Sequence, residues 1–175
     1  MLNNYWQPIH NLPAEGREFS FTDQQFWFEA FSRYKLNFRP AGPITSKYHV
    51  TPSDGGFFIR GHIEGAIVMP CDRCIEDARA DIDDDFELYE EPAKPDNEEI
   101  PEKPLVRERD GMIELDEAGM LWEQLMLALP IKPLCERECR GLCPKCGQNL
   151  NVAGCECEQG AEDPRMSVFR DLKLS

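Results

Sequence analysis

The sequence has no long apolar run and no surplus of positive charge. No stretch of its 175 residues approaches the roughly 20 apolar residues that a membrane-spanning helix requires. The segment 1–6 has neither the basic region nor the apolar region of a secretory signal, so we expect a soluble, cytoplasmic protein. Lysine and arginine number 19 against 33 acidic residues, which excludes a large electrostatic surface for nucleic acid.

The motifs of common enzymes are also missing. The sequence has no phosphate-binding glycine loop, no His-Glu-x-x-His motif and no evident Ser-His-Asp set. The acidic run at 83–85 lacks the Asp-x-Asp-x-Asp-Gly pattern of a calcium loop and is typical of a solvated surface. We therefore expect that the protein is not an enzyme and has no small-molecule substrate.

The negative charge is concentrated in the middle of the chain. Residues 76–117 hold 18 acidic and 5 basic residues, whereas both ends are close to neutral. Four prolines stand among the acidic residues of the segment 89–110, which predicts an extended linker. We expect one domain in three parts: a helix and antiparallel sheet at 1–88, this linker, and a helix, cysteine-rich segment and closing helix at 111–175.

Hydrophobic periodicity predicts an α+β fold. In the segment 23–34, one helical face is formed by Trp27, Ala30, Phe31 and Tyr34, and Thr22 begins a capping-box pattern. Alternating apolar residues from 44 to 88 predict a three-stranded antiparallel meander, with turn residues of a hairpin at 52–56. His62 lies on the outer face of this meander, and we expect it to be a surface residue with no metal or catalytic role.

Two further helices are predicted after the linker. Asp116 can cap a helix whose apolar face runs to Leu129, and Pro130 ends it. Apolar residues with helical spacing at 166–172 predict a short closing helix. The predicted fold is thus an antiparallel meander packed with two or three helices, plus a carboxyl-terminal zinc-knuckle segment.

Eight cysteines in four close pairs give the strongest chemical signal. The pairs are Cys71 and Cys74, Cys135 and Cys139, Cys143 and Cys146, and Cys155 and Cys157. In a reducing cytoplasm, clustered Cys-x-x-Cys pairs hold a metal more often than they form disulfides. The first pair lies in a predicted strand turn, which favours a metal knuckle, because a redox pair belongs at a helix N-terminus.

The spacing leaves the assignment of ligands open. Cys143-Pro-Lys-Cys146-Gly147 is a zinc-knuckle pattern that Cys155 and Cys157 can complete. We favour a second site built from the other four cysteines, because it leaves no free thiol. The alternatives are one zinc ion between the two Cys-x-x-Cys pairs and an iron-sulfur cluster. Since all donors are sulfur and no position is left open, either zinc arrangement is structural rather than catalytic.

The order of these motifs identifies a resemblance. The motifs are Cys-Asp-Arg-Cys at 71–74, Leu-Ala-Leu-Pro-Ile-Lys-Pro-Leu-Cys at 127–135, Arg-Gly-Leu-Cys-Pro-Lys-Cys-Gly-Gln-Asn-Leu-Asn at 140–151, Cys-x-Cys at 155–157 and Asp-Pro-Arg at 163–165. In this combination the chain resembles the YceD family of large ribosomal RNA subunit accumulation proteins, roughly over 44–175. The resemblance implies a role in the accumulation or maturation of large-subunit ribosomal RNA, in bacteria and plastids.

The charge distribution restricts how such a role is carried out. An acidic protein is a poor coat for RNA, so we expect an adaptor that contacts a ribosomal protein or an assembly intermediate. A local RNA contact is possible through Arg137, Arg140, Lys145, Arg165, Arg170 and Lys173. Two rival functions remain. One is a thiol redox enzyme or sensor using Cys71 and Cys74, and the other is direct RNA binding with a steep salt dependence.

Overall fold

The computed structural model describes residues 5–93 and 104–157, which form an α+β fold built on antiparallel sheets. In chain order the elements are β1 (Trp6–Pro8), β2 (Arg17–Phe21), α1 (Gln24–Arg33), β3 (Arg39–Pro40), β4 (Thr45–Ser53), β5 (Gly56–Pro70), β6 (Asp77–Glu90), β7 (Val106–Arg109), β8 (Met112–Asp116) and α2 (Glu117–Ala128). The predicted closing helix at 166–172 lies outside the described residues. Within the described ranges, no helix is long and apolar enough to cross a membrane.

The larger sheet contains the predicted meander. β4 pairs with β5, and β5 pairs with β6 along its whole length, from Phe57 opposite Glu90 to Pro70 opposite Asp77. Gly55 takes φ 80° in the turn between β4 and β5, a left-handed conformation that glycine adopts without strain. β2 extends the sheet beyond β4, and the short β3 pairs with the far end of β5. The meander is therefore confirmed, within a sheet of five strands.

The core lies on one face of this sheet. Apolar residues of β6 such as Ile82 and Phe86 are buried, whereas the acidic residues between them are exposed. Gly61 of β5 lies between neighbouring strands, and a Cβ there would come within 2.4 Å of the Phe86 ring and 2.6 Å of the Tyr48 Cβ. Only glycine fits at this position, because these side chains pack directly on its backbone.

A second, three-stranded sheet has the order β1-β8-β7. Its strand β7 falls within the segment 89–110, which was predicted to be linker, and β6 continues to Glu90. The linker prediction is wrong for these residues. Only Val106 of β7 is fully buried, and Arg107 is held by Glu114 and by the Trp6 ring, 3.6 Å from the guanidinium carbon. A strand stabilised by side-chain pairing has little apolar periodicity in its sequence.

Helix α1 buries Phe26, Trp27 and Phe31 in the core it shares with the larger sheet, as predicted for a helix packed on the meander. Its N-cap is Asp23, whose carboxylate accepts from the backbone N–H groups of Gln25 and Phe26, so the prediction of Thr22 was wrong by one residue. Tyr34 follows the last turn and is 52% exposed, stacking on Trp122 of α2 with ring centroids 4.8 Å apart. The buried face of α1 therefore ends at Phe31, one turn before Tyr34, which was predicted to belong to it.

Helix α2 joins the two sheets and leads to the cysteine-rich segment. It begins at Asp116, whose side chain accepts from the Gly119 N–H at 3.0 Å, and it stops before Pro130, as predicted. Its first-turn residue Glu117 accepts a hydrogen bond of 2.7 Å from the Tyr48 hydroxyl of β4. Since Leu121 and Leu125 are fully buried in the shared core, the end of α2 has a fixed position relative to the sheets.

Candidate metal centre

The first Cys-x-x-Cys pair lies in the turn between β5 and β6. The Ile75 N–H donates to the Cys71 carbonyl at 2.9 Å, and the Cys71 N–H donates to the Glu76 carbonyl at 2.8 Å. These bonds close a tight knuckle, in which the Arg73 N–H also points at the Cys71 sulfur at 3.4 Å. Cys71 and Cys74 are 2% and 3% exposed, so both thiols face inwards.

The segment after α2 brings a second pair to this knuckle. The Asp72 N–H donates to the Pro133 carbonyl at 2.9 Å, and the Arg73 guanidinium donates to the Cys139 carbonyl at 2.8 Å. These contacts place Cys135 3.5 Å from Cys74 and Cys139 3.8 Å from Cys71, sulfur to sulfur. We call the group Cys71, Cys74, Cys135 and Cys139 the bridging cluster. All four sulfur atoms lie within 4.8 Å of one another.

The terminal cluster comprises Cys143, Cys146, Cys155 and Cys157, and its sulfur atoms also lie within 4.8 Å of one another. Its knuckle has the same hydrogen bonds as the first one. The Gly147 N–H donates to the Cys143 carbonyl at 2.9 Å, and the Cys143 N–H donates to the Gln148 carbonyl at 2.8 Å. The eight thiols thus form two groups of four, the grouping of the favoured arrangement. Within the described residues, no thiol is left outside these groups.

The two clusters are tied to each other. The Leu142 N–H donates to the Arg73 carbonyl at 2.9 Å, which joins the second knuckle to the first. Asn151 accepts from the Arg140 N–H at 2.6 Å, and its amide nitrogen lies 3.2 Å from the Cys139 sulfur. Sequence reasoning assigned no role to Arg73 or Asn151. Both residues stand in motifs, Cys-Asp-Arg-Cys at 71–74 and the run at 140–151, but nothing in the residue order shows that the two motifs are in contact.

The sulfur geometry fits a tetrahedral metal ion. Zinc–sulfur bonds of about 2.3 Å place the corners of a regular ZnS₄ tetrahedron about 3.8 Å apart. The two sulfur–sulfur distances in the bridging cluster, 3.5 and 3.8 Å, match this edge. Four thiolates with no oxygen or open position suit a closed structural zinc site, and iron-sulfur chemistry uses the same donors.

Backbone donors favour an ionised sulfur in each cluster. Burial raises the pKa of the Cys71 thiol, but surrounding backbone N–H groups, above all that of Cys135, lower it to about 6. In the terminal cluster, backbone donors led by the Cys146 N–H lower the pKa of Cys143 to about 6. Each knuckle therefore stabilises one thiolate before any cation is bound.

The partner thiols show the opposite shift. A hydrogen bond with Cys74 raises the pKa of Cys135 to about 12, and a hydrogen bond with Cys146 raises the pKa of Cys157 to about 12. Negative charge on one sulfur thus disfavours ionisation of its neighbours. A bound cation reverses this effect, because it is the largest local charge and deprotonates the thiols that coordinate it.

The residues predicted for an RNA contact are only partly described. Arg137, Arg140 and Lys145 are exposed beside the clusters. Arg165, Arg170 and Lys173 lie outside the described residues. Because Glu136 and Glu138 flank Arg137, this surface has mixed charge rather than a basic patch.

His62 is a surface residue, as predicted, although it has acidic neighbours. Its ring lies 2.8 Å from the Asp85 carboxylate and 3.4 Å from that of Asp83, both on β6. The hydrogen bond to Asp85 raises the pKa of His62. The two carboxylates are exposed and His62 is partly exposed on the outer face of the sheet, so the three residues form a surface ion-pair group.

Comparison with known proteins agrees with the motif order. A sequence model described as "Large ribosomal RNA subunit accumulation protein YceD" matches residues 59–173. Uncharacterized proteins of Mycobacterium tuberculosis and Mycobacterium bovis are 30% identical over 96 residues, which is 54% of this chain and 45% of theirs. The chain thus spans about half the length of these curated relatives.

A plant protein matches over a shorter region. The chloroplastic YCED homolog 1 of Arabidopsis thaliana, described as a large ribosomal RNA subunit accumulation protein, is 30% identical over 60 residues. This region is 34% of the chain and 19% of the plant protein. No solved structure matches.

Proposed function

Because the chain belongs to the YceD family of large ribosomal RNA subunit accumulation proteins, we propose that it is a non-enzymatic zinc-binding factor for ribosome assembly. It supports the accumulation of large-subunit ribosomal RNA in the cytoplasm, where its thiols remain reduced. The observation that carries the proposal is the pair of four-sulfur clusters, in each of which the sulfur atoms lie within 4.8 Å of one another. Bound zinc would supply a redox-inert cross-link at each cluster, held by the eight cysteines.

The proposed cross-links give the protein a structural rather than a chemical activity. The bridging cluster joins the turn of the larger sheet to the segment after α2, and the terminal cluster orders the segment 143–157. A sulfur-only set leaves no position for substrate or water, which supports a non-enzymatic role. The result is a rigid adaptor with a defined metal-bound end.

The proposed partner is a basic protein of the large-subunit precursor, with a local RNA contact at the exposed cations beside the clusters. An acidic segment attracts a basic protein and repels phosphate. Deletion of 94–103 removes acidic residues without touching strand β7, and it should weaken binding to such a protein. Unchanged binding in a pull-down would show that the acidic segment does not contact the partner.

The burial of Cys71 argues against the rival thiol redox function. A redox cysteine needs a solvent-accessible thiolate, and Cys71 is only 2% exposed although its pKa is lowered to about 6. Absorption spectroscopy distinguishes the remaining options. Zinc-loaded protein has no visible absorption, an iron-sulfur cluster absorbs in the visible range, and a redox protein shows reversible disulfide formation without metal.

The proposal is tested by complementation. In a host depleted of the protein, the wild-type chain should restore the ratio of large-subunit to small-subunit ribosomal RNA. A Cys71→Ser variant should fail, and a surface variant such as Phe28→Ser serves as the control for expression. Full restoration by a variant shown to lack both metal ions would contradict the proposed role of zinc.

A further inference from the structure

The two knuckles differ at one position. Ile75 and Gly147 each follow the second cysteine of a Cys-x-x-Cys pair, and each donates its N–H to the carbonyl of the first cysteine at 2.9 Å. Their φ angles are 67° and 74°, so both turns require a left-handed residue. Glycine meets this requirement without strain, whereas a β-branched residue at positive φ is a genuine outlier.

The strain at Ile75 is not offset by burial within the chain. Its side chain is 68% exposed, so it gains little from packing on the described residues. The second knuckle shows that the same turn forms with glycine. An exposed apolar side chain held in a strained conformation points to a function for that side chain.

Other exposed aliphatic residues surround the same turn. Among the described residues, the four most exposed large apolar side chains are Ile131 at 94%, Val152 at 80%, Leu127 at 76% and Ile75 at 68%. We call these four residues the aliphatic surface. Ile75, Ile131 and Val152 lie in the segments that carry the cysteine clusters, and Leu127 lies in the last turn of α2, whereas single exposed apolar residues elsewhere are ordinary.

Hydrogen bonds hold these segments side by side. The Asp72 N–H donates to the Pro133 carbonyl at 2.9 Å, which places the chain after α2 beside the first knuckle. The Asn149 amide donates to the Glu76 carboxylate at 3.4 Å, which places the turn that contains Val152 on the same knuckle. The segments that carry Ile75, Ile131 and Val152 are distant in sequence but therefore meet at the first knuckle.

The charge around this surface argues against nucleic acid as the occupant. Segments 71–76 and 130–157 contain five basic and five acidic residues, and four thiolates around a divalent ion add a net negative charge at each cluster. Aliphatic side chains also offer no aromatic face on which bases stack. A protein with an apolar groove and mixed charges at its rim fits both observations.

We infer that the aliphatic surface docks on an apolar groove of a protein in the large-subunit precursor particle, with Ile75 as its anchor. This inference rests on the proposed function, because that function supplies the particle. The strained turn holds Ile75 outwards before binding, so the partner gains the apolar contact without ordering a mobile side chain.

Cosedimentation with purified large-subunit precursor particles tests the inference. The full-length, metal-loaded chain is compared with Ile75→Gly, Ile131→Ser and the control Phe28→Ser, which removes a 57% exposed side chain from α1. Ile75→Gly and Ile131→Ser should each weaken binding on the order of tenfold, and the control should bind normally. Ile75→Gly should also raise the midpoint of thermal unfolding, which separates lost binding from lost folding.

Each other outcome overturns the inference. If the wild-type chain binds and both variants bind equally well, the aliphatic surface is not the docking site, although the proposed function stands. If the variants lose affinity equally for deproteinised ribosomal RNA, the contact is with RNA. A lower unfolding midpoint for Ile75→Gly would show that the chain itself covers the side chain. If the wild-type chain does not bind the particles, the inference and the proposed function both fail.

Discussion

The bridging and terminal clusters have the same four thiol donors and the same knuckle, yet they bring together residues separated by very different lengths of chain. Cys74 and Cys135 are 61 positions apart, and they belong to the sheet turn and to the segment after α2. Cys146 and Cys155 are nine positions apart in one segment. The same coordination chemistry can therefore stabilise a whole fold or a single loop, depending on what separates its ligands.

The bridging cluster, which joins the more distant parts of the chain, is also the more deeply buried of the two. Three of the four cysteines of the bridging cluster are buried, and they form a small core of their own with Ala78. In the terminal cluster only Cys143 is buried. We expect the bridging cluster to respond to mutation through global unfolding and the terminal cluster through local opening.

Loss of a cysteine from either cluster should change the free energy of unfolding by a different amount, and this is the largest effect that we expect. Treated as cross-links, a loop of 61 residues stabilises by about 4 kcal/mol and a loop of nine residues by about 2.5 kcal/mol. Cys71→Ser should therefore lower the free energy of global unfolding more than Cys155→Ser does, as measured by denaturant titration of zinc-loaded protein. Hydrogen exchange should show opening across β5 and β6 for the first variant and only after Leu142 for the second. Equal, local effects from both variants would show that the bridging cluster does not stabilise the fold as a whole.

A smaller effect is expected where the clusters meet. Asn151→Asp replaces the amide that points at the Cys139 sulfur with a carboxylate, 3.2 Å from a thiolate in the zinc-loaded protein. We expect a loss of about 1.5 kcal/mol, roughly tenfold in zinc affinity, at the bridging cluster. Competition with a chromophoric chelator measures this affinity.

Gln148→Glu is the matched control for Asn151→Asp. It makes the same amide-to-acid change in the same segment, but among the described residues the Gln148 amide donates to the Asn149 carbonyl, at 3.3 Å, and to no cysteine sulfur. Zinc affinity of the bridging cluster should be unchanged in this variant. A similar loss in both variants would assign the effect to charge in general and not to the contact with Cys139.

The two clusters should differ least in the number of protons that they release when zinc binds. Because the pKa values of Cys71 and Cys143 are lowered to about 6, one thiol in each cluster is already ionised at pH 7. Zinc binding should then release about three protons per ion at either cluster, and the number should approach four as the pH falls below 6. Calorimetry in buffers of different ionisation enthalpy gives this number. A value near four at pH 7 would show that the knuckles do not activate these thiols.

The sequence predicted the cysteine groups for a physical reason. Periodicity placed Cys71 and Cys74 in a strand turn and ended α2 at Pro130, so only a few residues separate the helix end from Cys135. Spacing alone left the assignment of ligands open, and the grouping of Cys71 and Cys74 with Cys135 and Cys139 was favoured because it leaves no free thiol.

Other features depend on contacts that spacing does not encode. Strand β7 is held by the pairing of Arg107 with Glu114 and Trp6, so its composition is that of a linker. The contact of Asn151 with Cys139 joins residues whose proximity appears only after both clusters form. The strain at Ile75 follows from a φ angle, and nothing in the residue order marks it.

Metal content distinguishes two structural zinc sites from the other arrangements of the eight thiols. The full chain, purified without added metal, should contain two zinc ions per molecule by native mass spectrometry, and Cys71→Ser and Cys155→Ser should each contain one. The remaining ion should be lost from each variant only when a cysteine of the other cluster is also replaced. Protein that carries one ion shared between the clusters, an iron-sulfur cluster, or no metal with oxidised thiols would contradict the account.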